Sequence, residues 1–114
     1  FDPKNIDLDL PNTPVIDMAN LLSKQGFTIM ILSGRSDVTH QATRDWLNKH
    51  GVWFDNLIMR TQDFLYMRDS DLKHMWLNTI GKDRVAMVFD DRNQVVDMWR
   101  KNGLTCFQVA DGDF

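Results

Sequence analysis

Apolar positions recur along this chain with two different periods, and the switches between them predict eight elements. Thr13 followed by Pro14 fits an N-cap and a first helical position, and Val15, Met18, Ala19, Leu21 and Leu22 then share one buried helix face that Gly26 ends. Thr28-Ile29-Met30-Ile31-Leu32 is almost continuously apolar and partly β-branched, which suits a strand buried on both faces. Ser36 or Asp37 can cap a second helix carrying Val38, Ala42, Trp46 and Leu47 that stops near Gly51. Asn56-Leu57-Ile58-Met59 reads as a second strand, followed by a loop over 60–68. Leu72, Met75, Trp76 and Ile80 mark a third helix that Asp69 or Ser70 could cap and Gly81 ends. A third strand over 85–89, a fourth helix over 94–102 closed by Gly103 and a last strand over 105–109 complete the series.

Helix and strand thus alternate four times. Strands separated by helices pair in parallel through crossovers, so the expected fold class is a layered α/β domain. Ligands of such sheets gather outside the carboxyl ends of the strands. The opening residues mix Asp, Asn and Pro with isolated Ile and Leu, dividing the chain into a loop over 1–12 and an α/β core over 13–114.

Composition changes this picture mainly by exclusion. The 114 residues, 43% hydrophobic and 25% charged, match one ordinary globular domain with neither a repeat period nor a linker. Apolar runs last about five residues, far short of the ~18–20 of a membrane-spanning helix. The acidic start does not read as a signal peptide, and the single Cys106, inside an apolar segment, reads as a buried reduced thiol. Together these features point to the cytoplasm and away from a membrane. A net charge of −3 argues against coating nucleic acid through a broad basic surface, but it leaves room for a local phosphate site.

Three segments carry candidate chemistry. Ser33-Gly34-Arg35 follows the first buried strand and places a hydroxyl, an unencumbered amide and a guanidinium near a helix start, where a phosphate is well received. The same residues also suit an ordinary turn. Asp90-Asp91 ends the third strand, and adjacent carboxylates there call for a cation such as magnesium, or else form a solvated turn with Asp91 capping the next helix. Asp69 and Lys73 stand four apart, so the carboxylate can orient the ammonium, or the two form a solvated helix pair. His40, His50 and His74 lack metal-ligand spacing, and Trp46, Trp53, Trp76 and Trp99 read as core rather than as a base-stacking platform.

Ser33-Gly34-Arg35, then Lys73, then Asp90-Asp91 resembles the order of the second, third and fourth motifs of the haloacid dehalogenase-like phosphatases. Asp90-Asp91-Arg92-Asn93-Gln94-Val95-Val96-Asp97-Met98-Trp99-Arg100 and the ending Gln108-Val109-Ala110-Asp111-Gly112-Asp113-Phe114 are similar to the C-terminal 3′-phosphatase domain of phage polynucleotide kinase/phosphatase. The likeness is dense over 88–114 and 29–35, and elsewhere one of pattern and order, including Leu57-Ile58-Met59-Arg60. The resemblance implies removal of 3′ phosphates from nucleic-acid ends through an aspartyl-phosphate, with magnesium. It assigns Ser33, Gly34 and Arg35 to the phosphate, Lys73 to its charge, Asp69 to orienting that lysine, and Asp90 and Asp91 to the metal.

One part of the family pattern is missing. The nucleophile and general acid of these phosphatases lie in Asp-x-Asp-Gly-Thr after a first, central strand, and no such run occurs here. Asp7-Leu8-Asp9 has neither an apolar strand before it nor Gly-Thr after it. The expectation is therefore a single, partial phosphatase domain, a haloacid dehalogenase-like Rossmannoid sheet lacking its first central strand and inactive as an isolated chain. Its open strand edges would be filled by rearranged pairing, by a homo-oligomer or by a chain supplying the missing strand. A reading of another class is a non-catalytic module that binds phosphate ends without a nucleophile. Residues matching every later motif, metal carboxylates included, favour the phosphatase.

Overall fold

The structure, a computed structural model, describes residues 12–114. The loop expected over 1–12, Asn12 excepted, and Asp7-Leu8-Asp9 lie outside the described residues. The chain divides into two compact units, one ending at Leu65 and one running from Tyr66 to Phe114.

In the first unit, helix α1 (Thr13–Lys24) carries Pro14 in its first turn, but Asn12 rather than Thr13 occupies the N-cap. Its apolar face is only half covered: no α1 residue is fully buried, and Met18 and Leu21 are 42% and 52% exposed. Strand β1 (Met30–Ser36), helix α2 (His40–Lys49) and strand β2 (Asn56–Arg60) follow. Between β1 and α2 lies a 3-10 turn, Asp37–Thr39, and the Ser36 hydroxyl caps it by accepting from the Val38 amide at 3.3 Å. The two strands pair in parallel, opened by the Ile29 amide donating to Asp55 Oδ2 at 2.7 Å. Ser33 stands opposite Met59 and Ser36 opposite Arg60, so Gly34 and Arg35 are looped out of the ladder. Among the described residues of this unit, Leu47 and Met59 are the buried apolar side chains.

The second unit holds helix α3 (Asp69–Ile80), strand β3 (Val88–Asp90), helix α4 (Asn93–Lys101) and strand β4 (Cys106–Gln108). Arg68 is the N-cap of α3, so neither Asp69 nor Ser70 caps it, and Asp69 stands in the first turn, where the positive end of the helix dipole favours a negative charge. Helix α4 buries Val95, Val96, Met98 and Trp99 and packs on α3, β3 and β4. Leu72 and Leu77 of α3 and Cys106 of β4 complete this core. Each of the almost fully enclosed Leu72, Leu77, Val95 and Val96 stabilises the fold by about 1.5–3 kcal/mol. The chain leaves α4 through Gly103 at φ 82°, a left-handed residue that lets the Leu104 amide return to the Trp99 carbonyl at 3.2 Å.

Strands β3 and β4 pair in parallel, with Val88 opposite Cys106 and Asp90 opposite Gln108. Among the described residues the strands form two two-stranded parallel sheets, β1 with β2 and β3 with β4. Among the described residues no helix is long and apolar enough to cross a membrane.

Candidate active site

The carboxyl end of β3 gathers a buried chain of charges. Lys73 on α3 lies 3.5 Å from Asp69 Oδ2 and 3.4 Å from Asp90 Oδ2, with the three side chains only 10–13% exposed. Burial removes the solvated-pair alternative for Asp69 and Lys73, because a buried lysine persists only when compensated by charge. Asp90 is held from three sides: the Asp91 amide donates to Oδ1 at 2.8 Å, and the Trp99 indole N–H donates to Oδ2 at 3.1 Å beside the lysine. Arg92 extends the chain, with Nη1 3.8 Å from Asp69 Oδ2. Asp91 does not cap α4, whose N-cap is Arg92 without a side-chain bond. Among the described residues no hydrogen bond or ion pair reaches the Asp91 carboxylate.

The tail at 108–114 closes over this turn. Gln108 Nε2 donates to the Asp91 carbonyl at 2.9 Å and to Asn93 Oδ1 at 2.6 Å, and the Asn93 amide donates to the Gly112 carbonyl at 2.9 Å. Gly112 lies so close that a Cβ there would run into the Asp91 carbonyl. Arg92 Nε donates to the Phe114 carbonyl at 2.7 Å while its guanidinium lies over the Phe114 ring. An open concavity of about 670 Å³ is lined by Asn93 and residues 108–113.

Charge and chemistry at this strand end suit a hard cation. Three carboxylates, Asp69, Asp90 and Asp91, accompany two cations, Lys73 and Arg92. Among the described residues no three of Asp, Glu, His and Cys converge as a metal cage, and none of the three histidines joins one. Magnesium needs no such cage, since it keeps several waters and is held by one or two carboxylates plus substrate phosphate oxygens. Asp90 and Asp91 fit that pattern, with Asp91 the carboxylate left unengaged. Cys106, buried on the neighbouring strand β4, has its thiol pushed up first by burial and then by the negative charge of Asp90.

Ser33, Gly34 and Arg35 belong to the first unit, and their setting corrects the expectation of a turn near a helix start. They lie within β1, half-buried in its looped-out end, with a 3-10 turn separating them from α2. The Arg35 amide donates to Ser33 Oγ at 3.2 Å. Arg60, at the end of β2, donates from Nε to the Gly34 carbonyl at 2.8 Å and from Nη1 to the Phe64 carbonyl at 2.6 Å.

Two contributors escape a reading by sequence pattern alone. Trp99 is core, as expected, but its indole N–H also grips Asp90; a tryptophan on the buried face of a helix needs a partner for that N–H, and this was the available signal. Arg60 ends an apolar strand and stays buried, a costly place for a guanidinium. Trp53, also expected in the core, is instead 60% exposed.

Comparison with known proteins agrees with this arrangement. The family model described as the polynucleotide kinase PNKP phosphatase domain matches residues 1–114. The chain belongs to this family. A bifunctional polynucleotide kinase/RNA ligase of Autographa californica nuclear polyhedrosis virus is 41% identical over 78 residues, 63% of this chain and 11% of that protein. Two solved structures, of the Pnkp1/Rnl/Hen1 RNA repair complex and of the Pnkp1/Rnl/Hen1 complex, contain chains 40% identical to this one, with TM-scores of 0.89 and 0.87. The matches cover 99% and 95% of this PNKP-type phosphatase domain and 38% of each of those chains. The domain is thus a haloacid dehalogenase-type α/β fold of a nucleic-acid end-repair family, spanning a minor part of its relatives' length.

Proposed function

We propose that this domain hydrolyses terminal phosphate monoesters at nucleic-acid ends, 3′ phosphates in particular, during RNA repair and with magnesium. The observation that carries the reading is the buried Asp69–Lys73–Asp90 chain beside an unengaged Asp91 at the carboxyl end of β3. A module that only bound phosphate would gain nothing from carboxylates there, because anions repel unless a cation stands between them.

In the proposed reaction water is consumed, the bond between phosphorus and the nucleic acid's 3′ oxygen breaks, and a 3′ hydroxyl and inorganic phosphate leave. The Ser33 hydroxyl, the Gly34 backbone and the Arg35 guanidinium bind the phosphate oxygens. Lys73, steered by Asp69, neutralises phosphoryl charge, and most of the catalysis is positioning and charge stabilisation. Asp90 and Asp91 would hold magnesium, which supplies positive charge to the phosphoryl oxygens when bound. The family resemblance carries an aspartyl-phosphate, and its nucleophile would come from an Asp-x-Asp-Gly-Thr strand that these 114 residues do not contain. The buried, reduced Cys106 suits a cytoplasmic setting.

The test gives the full-length protein RNA and DNA oligonucleotides carrying a 3′ phosphate, a 5′ phosphate or neither, with magnesium or with a chelator. Release of phosphate from 3′ ends, only with magnesium, is expected. Tight binding of 3′-phosphorylated ends with no release would instead establish the end-binding module.

A further inference from the structure

We propose that Arg60 is a positioning residue that sets the Ser33 hydroxyl for phosphate by fixing the looped-out Gly34–Arg35 peptide. The inference rests on the reading of Ser33-Gly34-Arg35 as the phosphate cradle. Between the pairs Ser33–Met59 and Ser36–Arg60, β1 has two residues with no counterpart on β2. Such irregularities re-aim side chains beside functional sites, but a two-residue excursion has many conformations unless something ties it down. Arg60 is that tie. It pairs through its backbone with Ser36, and its side chain, in a residue only 9% exposed, donates to the Gly34 carbonyl at 2.8 Å and the Phe64 carbonyl at 2.6 Å.

The consequence passes through one peptide plane. In a trans peptide the carbonyl and the following amide point in opposite directions, so drawing the Gly34 carbonyl toward Arg60 turns the Arg35 amide the other way. There it donates to Ser33 Oγ at 3.2 Å. A hydroxyl has one proton and two lone pairs, and with a lone pair occupied by this amide, Ser33 presents its O–H as a donor. A phosphate oxygen, an acceptor only, requires that polarity. Arg60 therefore acts on the anion without touching it.

The experiment measures, with a chelator present to prevent turnover, the affinity of the full-length protein for an oligonucleotide ending in a 3′ phosphate, divided by its affinity for the same oligonucleotide ending in a hydroxyl. Ser33→Ala and Arg60→Lys are each expected to lower this ratio about 10-fold. In the Ser33→Ala background, Arg60→Lys should lower it by less than about 2-fold, because the effect of Arg60 travels through the missing hydroxyl. Arg60→Gln, which keeps a donor without the buried charge, is carried in parallel, and thermal unfolding of every variant identifies those that fold. Losses that multiply in the double variant, or a ratio unmoved by both Arg60 substitutions, overturn the inference while leaving the cradle in place. A ratio unmoved by Ser33→Ala overturns the cradle itself.

Discussion

Ser33-Gly34-Arg35 and Asp90-Asp91 both lie at the carboxyl end of a parallel strand, yet they are held by opposite means. In the first unit the support is main chain: a guanidinium grips a carbonyl, and an amide grips a hydroxyl. In the second it is side-chain charge, with Lys73 between two carboxylates, an indole N–H on Asp90, and a tail pressed against the turn by a glycine. The first site, proposed for an anion, is set by contacts to its backbone, one of them from the cationic Arg60. In the second, proposed for a cation, three carboxylates accompany two cations, and among the described residues no hydrogen bond or ion pair reaches the Asp91 carboxylate.

The contrast can be broken most sharply at Gly112. A Cβ there meets the Asp91 carbonyl and comes within 2.8 Å of two Asn93 atoms, so Gly112→Ala should cost about 2–3 kcal/mol in urea unfolding. Gly51→Ala in the first unit meets open space and pays only for its φ of 70°, about 1 kcal/mol. Equal costs would remove the tail from the account of the second site. Lys73→Met should come next, at about 3 kcal/mol or less, because it leaves Asp69 and Asp90 buried without their shared cation. A neutral result in the same titration would mean that the carboxylates are not charge-held.

Trp99→Phe keeps the ring and removes the N–H, for an expected loss of about 1–2 kcal/mol together with weaker manganese binding, read by electron paramagnetic resonance. A loss of stability with metal binding unchanged would reduce Trp99 to core. The smallest effect concerns Cys106. Its thiol is raised above 9.0 in the folded protein, so the protonated form is favoured there. Stability is therefore intact at neutral pH and falls as pH climbs from the ordinary thiol value through the raised one. Alkylation by iodoacetamide at pH 8 should be slow in the native protein and rapid in urea; equal rates would show an accessible thiolate.

Much of this architecture is legible in the sequence where it depends on local spacing. The buried face of α4 follows from Val95, Val96, Met98 and Trp99, and the helix ends from the glycines. Strand ends are less legible, because the hydrogen-bonded ladder and not the apolar run decides them. The run that stops at Leu32 continues as strand to Ser36, since Ser36 finds Arg60 beyond the looped-out pair, whereas β3 starts only at Val88. The pair Asp69–Lys73 shows in its four-residue spacing. Its link to Asp90, seventeen residues on, depends on how α3 lies against β3, which no local pattern records. The half-exposed face of α1 is another long-range outcome, set by what packs on it.

The central claim is that Asp91 is held ready for a cation that acts on a terminal phosphate. Its most direct test is the rate of phosphate release from a 3′-phosphorylated RNA oligonucleotide by the full-length protein carrying Asp91→Asn, at saturating magnesium. The account predicts a fall of at least about 100-fold with an unchanged thermal midpoint, since among the described residues no hydrogen bond or ion pair reaches that carboxylate. An unchanged rate, or release that persists in a chelator, would contradict it.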